Sequence, residues 1–219
     1  MKQFDIITIF PEILDSYFNE SLFKRGQKNK LVKIKTHNLR SYTKDKHKTV
    51  DAKIYGGGGG LLFKPDVMMR AIKGVPKKKN RRVILMSPTG HTFNQKKSKQ
   101  LAKYDQLIFI CPRYEGIDAR VEKMVDEKIS IGDYILTGGE LGAAIIIDAV
   151  SRHILKFVGK EQSVLDESFS KENYLEYPQY TRPEVIKYNG KELKVPKVLL
   201  SGHHAEIEKW KIKQSKIKK

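Results

Sequence analysis

Three short loops hold the residues best placed to bind a ligand, and each follows an apolar run. Ser87-Pro88-Thr89-Gly90 closes the run VILMS that begins at Val83, and Cys111-Pro112-Arg113-Tyr114-Glu115-Gly116 closes LIFIC from Leu107. The third, Ile131 to Gly139 (IGDYILTGG), sits in a strand-like stretch, 129–136, that Gly132 interrupts. In an open parallel sheet, ligands bind beyond the carboxyl ends of the strands. Three small-residue loops at such ends would form one pocket from main-chain groups, suited to a flat heterocycle such as adenine.

Other chemistry has weaker support. Gly56–Gly60 is followed by Leu61, Leu62 and Phe63, so it lacks the Gly-Lys-Ser/Thr ending of a phosphate loop. Five glycines mark a sharp turn, a close backbone approach or a flexible loop. His203 and His204 are adjacent, not four apart, and His37, His47, His91 and His153 are scattered, which gives no metal-chelating pattern. Cys111 is the only cysteine, closes an apolar run, and is expected to be a buried thiol. A single cysteine also excludes a disulfide framework and points to a reducing, cytoplasmic setting.

The elements that must position these loops alternate between strand and helix. Mostly apolar runs at 4–10, 83–87, 107–111 and 129–136 and the alternation at 31–36 predict strands, and residues 12–25, 66–73, 94–103, 117–126 and 140–155 have helical spacing. Continuously apolar central strands between helices predict an α/β domain with a mostly parallel sheet and helices on both faces. The texture changes after Gly159. Residues 159–174 are polar and read as a linker. Beyond them come three prolines, a strand-like KVLLS at 197–201, and a basic helix from about 203 to 215. The expected organisation is a 1–158 domain, a 159–174 linker, and a small, mainly helical 175–219 module with too little apolar content for its own core.

Hydrophobic residues make up 39% and charged residues 31%, which fits a globular chain, and no apolar run is long enough to span a bilayer. The opening residues carry Asp5 and lack a small-residue cleavage site, so no signal peptide is expected. Net charge is +18, which predicts a polyanionic partner, with nucleic acid favoured over a membrane surface. Basic residues concentrate at 24–53, 73–82 and 207–219. Residues 105–150 are the reverse, with nine acids and four basic residues. An acidic island inside a basic chain suits a cationic small ligand, though surface and helix-capping acids would give the same count.

YGGGGG, CPRYEGIDARV, SIGDYILTGGEL, YPQYTRPEV and LLSGHHAEIEKW together resemble the bacterial tRNA (guanine-N1)-methyltransferases, in order and over nearly the whole chain. The resemblance implies the SPOUT class, an α/β domain with a deep trefoil knot that holds S-adenosylmethionine. It implies a homodimer with shared active sites and, as substrate, tRNA with guanosine at position 37. The strand-end loops become the cofactor site: Ser87 and Pro88; Pro112, Tyr114, Glu115 and Gly116; and Ser130, Ile131, Gly132, Tyr134, Leu136, Gly138 and Gly139. Basic segments then serve RNA, and the acidic island faces a sulfonium.

Methylation at guanine N1 requires loss of the N1 proton while charge builds on O6, so it calls for a carboxylate and a nearby cation. The resemblance assigns the cation to Arg152 and the base to an aspartate in a D-S-F context. Here that triplet is Glu167-Ser168-Phe169, preceded by Asp166, so Glu167 is the expected base and Asp166 the alternative. Arg152 could equally pair with Asp148 one turn earlier. The family usually has Gly at Pro112 and Pro at Gly142. The resemblance leaves Mg²⁺ assistance open, and no side-chain cluster in the sequence speaks for a metal. Two other readings stay on the table: a SPOUT enzyme acting on another nucleotide, and a basic RNA-binding protein without catalysis.

Overall fold

The computed structural model describes residues 1–57, 59–159, 167–171 and 173–217. The chain divides into two compact units, Met1–Gly159 and Lys160–Lys219.

The first unit is built on five parallel strands: β1 (Lys2–Thr8), β2 (Val32–Asn38), β5 (Arg81–Thr92), β6 (Gln106–Ile110) and β7 (Glu127–Ser130). Their order across the sheet is β2-β1-β6-β5-β7. Side chains alternate across the sheet, and each face has its own core. Phe4, Ile84, Met86, Leu107 and Phe109 point to one face, against Phe18 of α1 (Asp15–Phe18), Phe23 of α2 (Ser21–Lys28), Leu101 of α4 (Gln95–Leu101) and Ile146 of α5 (Glu140–Ser151). Ile7, Val83, Leu85, Ile108 and Ile110 point to the other, against Val67, Met68 and Ala71 of α3 (Pro65–Gly74). Helices therefore cover both faces, which is why the central strands read as unbroken apolar runs.

Several local expectations need correction. Residues 12–25 form two helices, not one. Glu20 is extended and Ser21 takes φ 48°, while Gln27 Nε2 donates to the Phe18 carbonyl (2.8 Å) at the end of α1. Residues 119–124 are a 3₁₀ turn, started where Asp118 accepts from the Arg120 amide at 2.9 Å. Pairing in β7 stops at Ser130, whose hydroxyl accepts from Gly132 N (3.2 Å) and donates to Gly132 O (3.0 Å), which folds the next residues into a turn. Pro88 does not end β5. Met86 and His91 both pair with Ile129, so residues 87–90 loop out between two stretches of one strand. The glycine run joins a hairpin of β3 (Asp51–Lys53) and β4 (Leu61–Phe63), and Gly56, Gly57 and Gly60 have φ of 83°, 84° and 96°. These three glycines take the left-handed region, as a sharp turn requires.

In the second unit, β8 (Tyr174–Leu175) pairs antiparallel with β11 (Lys216–Ile217), and β9 (Val185–Tyr188) with β10 (Lys191–Lys194). A basic helix spans His204–Gln214, close to its expected bounds. KVLLS is not a strand: Lys197–Leu200 is a helical turn that starts after Pro196, a residue whose fixed φ suits a helix start. Strands thus supplement the helices expected here. No described residue of this unit is buried.

Candidate active site

The site lies at the carboxyl ends of β5, β6 and β7. After β6, the segment from Arg113 is fastened to the β3–β4 hairpin: Glu115 N–H donates to Leu61 O (3.2 Å), Phe63 N–H to Gly116 O (3.1 Å) and Asp118 N–H to Phe63 O (3.2 Å). This clamp holds Tyr114 at φ 59°, edge-on to the buried Phe63 ring at 5.6 Å. The turn before α5 meets the same loop. Gly139 N–H donates to Pro112 O (3.0 Å), and a side chain at 139 would put its Cβ 2.8 Å from Cys111 Cα. Only glycine permits that approach of two backbones. Pro112 contributes its carbonyl here, so its missing N–H costs this contact nothing. Gly142 lies against Met86, where an added Cβ would come within 2.9 Å of the terminal methyl.

Between these loops is a cavity of about 340 Å³. Every loop residue named from the sequence borders it: Ser87, Pro88, Pro112, Tyr114, Glu115, Gly116, Ser130, Ile131, Gly132, Tyr134, Leu136, Gly138 and Gly139. Met86, Arg113, Ile129, Ile135, Thr137 and Gly142 line it too and were not foreseen. Arg113, Ile135 and Thr137 lie within the quoted loops, and only their contacts single them out. Cys111 is fully buried beneath the pocket, and burial pushes its thiol well above the usual range, so it is no nucleophile.

Arg152 sits at the C-terminal cap of α5, with its amide donating to Asp148 O at 3.3 Å. The Asp148 carboxylate accepts a hydrogen bond from the Tyr17 hydroxyl, and that bond holds the phenol up at about 12. Glu167 belongs to the second unit, where it is half-buried and its carbonyl accepts from Ser170 N at 3.0 Å. Asp166 lies outside the described residues. Among the described residues no cluster of His, Cys, Asp and Glu could hold a metal ion, and no helix is long and apolar enough to cross a membrane.

A parallel α/β sheet with a loop-walled pocket at its strand ends defines a ligand-binding domain of the kind that holds nucleotide-like cofactors. The family described as tRNA (Guanine-1)-methyltransferase TrmD matches residues 1–219, and the chain belongs to it. A relative from Dictyoglomus turgidum is 47% identical over 215 residues, covering 98% of this chain and 85% of its own. One from Ruminiclostridium cellulolyticum is 49% identical over 216 residues, covering 97% and 91%. Both carry the name tRNA (guanine-N(1)-)-methyltransferase.

Proposed function

We propose that this chain transfers a methyl group from S-adenosylmethionine to N1 of the guanosine at position 37 of tRNA, beside the anticodon. Family membership across the whole chain carries the reading. The pocket fits the donor chemically. Main-chain groups of three loops suit an adenine edge, and Glu115 offers a carboxylate to a cationic ligand. Ser87, Pro88, Pro112, Tyr114, Glu115, Gly116, Ser130, Ile131, Gly132, Tyr134, Leu136, Gly138 and Gly139 would hold it. Bound there, S-adenosylmethionine supplies an electrophilic methyl group on a sulfonium.

The chain's own task is to make guanine N1 a nucleophile. Glu167 takes the N1 proton onto a carboxylate oxygen, and the Arg152 guanidinium offsets the charge that grows on O6. Asp166 is the alternative base. Residues 1–158 form the donor domain, 159–174 a linker bearing the base, and 175–219 a tRNA-binding module. The module's basic helix, with Lys209, Lys211 and Lys213, supports an RNA role.

The donor domain carries a deep trefoil knot in the SPOUT manner. The tight Gly139–Cys111 contact between two of its loops is in keeping with that topology. The functional unit is a homodimer with shared active sites. Exposed Leu141 and Ile145 on α5, together with Phe10, Ile13 and Tyr17, supply an apolar surface for a second copy.

Labelled S-adenosylmethionine and a tRNA transcript with guanosine at position 37 test the reading. Label should enter N1 of that base and vanish when position 37 is adenosine. Label at another nucleotide would favour a different target within the SPOUT class. No transfer at all, with RNA binding intact, would leave a binding protein.

A further inference from the structure

We infer that the buried Glu140–Arg113 pair makes the pocket select the cationic methyl donor over its neutral demethylated product, by cancelling a positive charge in the pocket wall. The inference rests on the proposed use of S-adenosylmethionine as donor.

Among the described residues, only two cavity-lining side chains carry a formal charge at neutral pH, Arg113 and Glu115. An arginine in the wall of a site for a sulfonium is a liability, since like charges repel most strongly where water is excluded. The chain meets this liability from below. Glu140, the first residue of α5, does not line the cavity, and its side chain is 1% exposed. Arg113 Nε lies 3.2 Å from its Oε1 and 3.0 Å from its Oε2. Oε1 also accepts from the Thr8 hydroxyl at 2.6 Å. Oε2 is buried and accepts no hydrogen bond, so its contact with the guanidinium is ionic alone.

Arg113 is also held in place. Its Nη1 donates to Thr137 O at 3.3 Å, and its guanidinium sits over the Phe10 ring at 4.9 Å. A buried carboxylate would be costly without a partner. Its retention at this point matches the need to neutralise an arginine that joins two pocket loops. With Arg113 paired to Glu140, the three charged groups of the lining and the layer behind it sum to −1, and the Glu115 carboxylate is the charge left over. The acid excess of residues 105–150 thereby gains a local purpose.

S-adenosylmethionine and S-adenosylhomocysteine share the adenosine and amino-acid portions and differ by one methyl group and one positive charge. The ratio of their affinities therefore isolates the charge, whereas a general loosening of the loops changes both affinities alike. Calorimetry on the full-length protein at low salt and pH 7.5 would compare wild type, Glu140→Gln, Arg113→Gln and the double variant. Glu140→Gln should weaken the donor relative to the product by roughly 5- to 15-fold, the repulsion expected of a cation within ~10 Å. The double variant, with both charges gone, should return the ratio to within about twofold of wild type. Equal weakening of both ligands in Glu140→Gln, or an unchanged ratio, overturns the inference and leaves the pair a scaffold. If Glu140→Gln fails to fold, Arg113→Gln decides. It should keep or raise the preference for the donor, and a fall of about tenfold overturns the inference. Wild type that binds neither ligand would overturn the donor assignment itself, and this inference with it.

Discussion

The described residues of the two units hold their shapes by different means. The first unit buries large side chains on both faces of a sheet, among them Phe4, Phe63, Phe109 and Met68, each with no exposed area. The second buries none of its described residues. Its order comes from two short strand pairs and an aromatic group, in which Tyr177 and Tyr180 lie 6.4 and 6.3 Å from Trp210 and Lys211 sits 5.2 Å over Tyr177. A pocket for a small ligand needs walls fixed before binding, because ordering loops on contact costs affinity. A surface for a large polyanion gains much of its affinity from counterion release and tolerates a thinner scaffold.

Separating the two units is the severest test of that contrast. A fragment ending near residue 170 should retain S-adenosylmethionine binding and lose tRNA methylation entirely, read by calorimetry and label transfer. Loss of both would mean that the pocket depends on the second unit. Next in size is the base. Glu167→Gln should lower single-turnover methylation by ~10²–10⁴-fold, the usual contribution of a general base. Asp166→Asn should stay near wild type, and Arg152→Ala should reduce turnover far more than donor affinity. A large loss in Asp166→Asn alone would move the base one residue upstream.

Charge on the second unit comes third. Replacing Lys209, Lys211 and Lys213 with alanine should make the slope of log affinity against log salt shallower by roughly 0.7–0.9 for each phosphate no longer neutralised. Donor affinity should not change, and an unaltered slope would make this helix a solvated face.

The smallest effect belongs to the packed unit. Lys2 is buried, its ammonium donates to Leu101 O at 2.7 Å and to Tyr104 O, and burial lowers it to about 8. An unfolded lysine titrates near ~10.4, so between about pH 8 and 10 the unfolded chain binds more protons than the folded one. Burying the charge is costly below about pH 8, and the cost is relieved as pH rises. Wild type should therefore gain about 1 kcal/mol of stability over Lys2→Met between roughly pH 7.5 and 9, in urea titrations at each pH. A gap that is flat with pH would mean that Lys2 keeps its proton throughout.

Much of the first unit is legible in its apolar runs, because strands buried on both faces need no polar alternation. Failures cluster where one hydrogen bond overrides a pattern. Ser130 turns the chain at Gly132, and the Gln27 amide meets the carbonyl that ends α1. KVLLS is ambiguous because so short an apolar-rich run fits either period, and the preceding proline settles the matter. The loops of the pocket are legible because small residues after apolar strands are a local signal. Arg113 and Glu140 are not, since 27 positions separate them in the chain and only tertiary structure makes them partners. Arg152 and Glu167 carry no local mark at all and come from family resemblance.

The buried Cys111 has a practical consequence. It is the sole thiol in the chain, with no exposed surface and a strongly suppressed thiolate. Native protein should thus be silent to maleimides and other thiol reagents. A single cysteine engineered at exposed Ser201 would then accept one fluorophore at one place. The natural sequence is, in effect, already prepared for site-specific labelling.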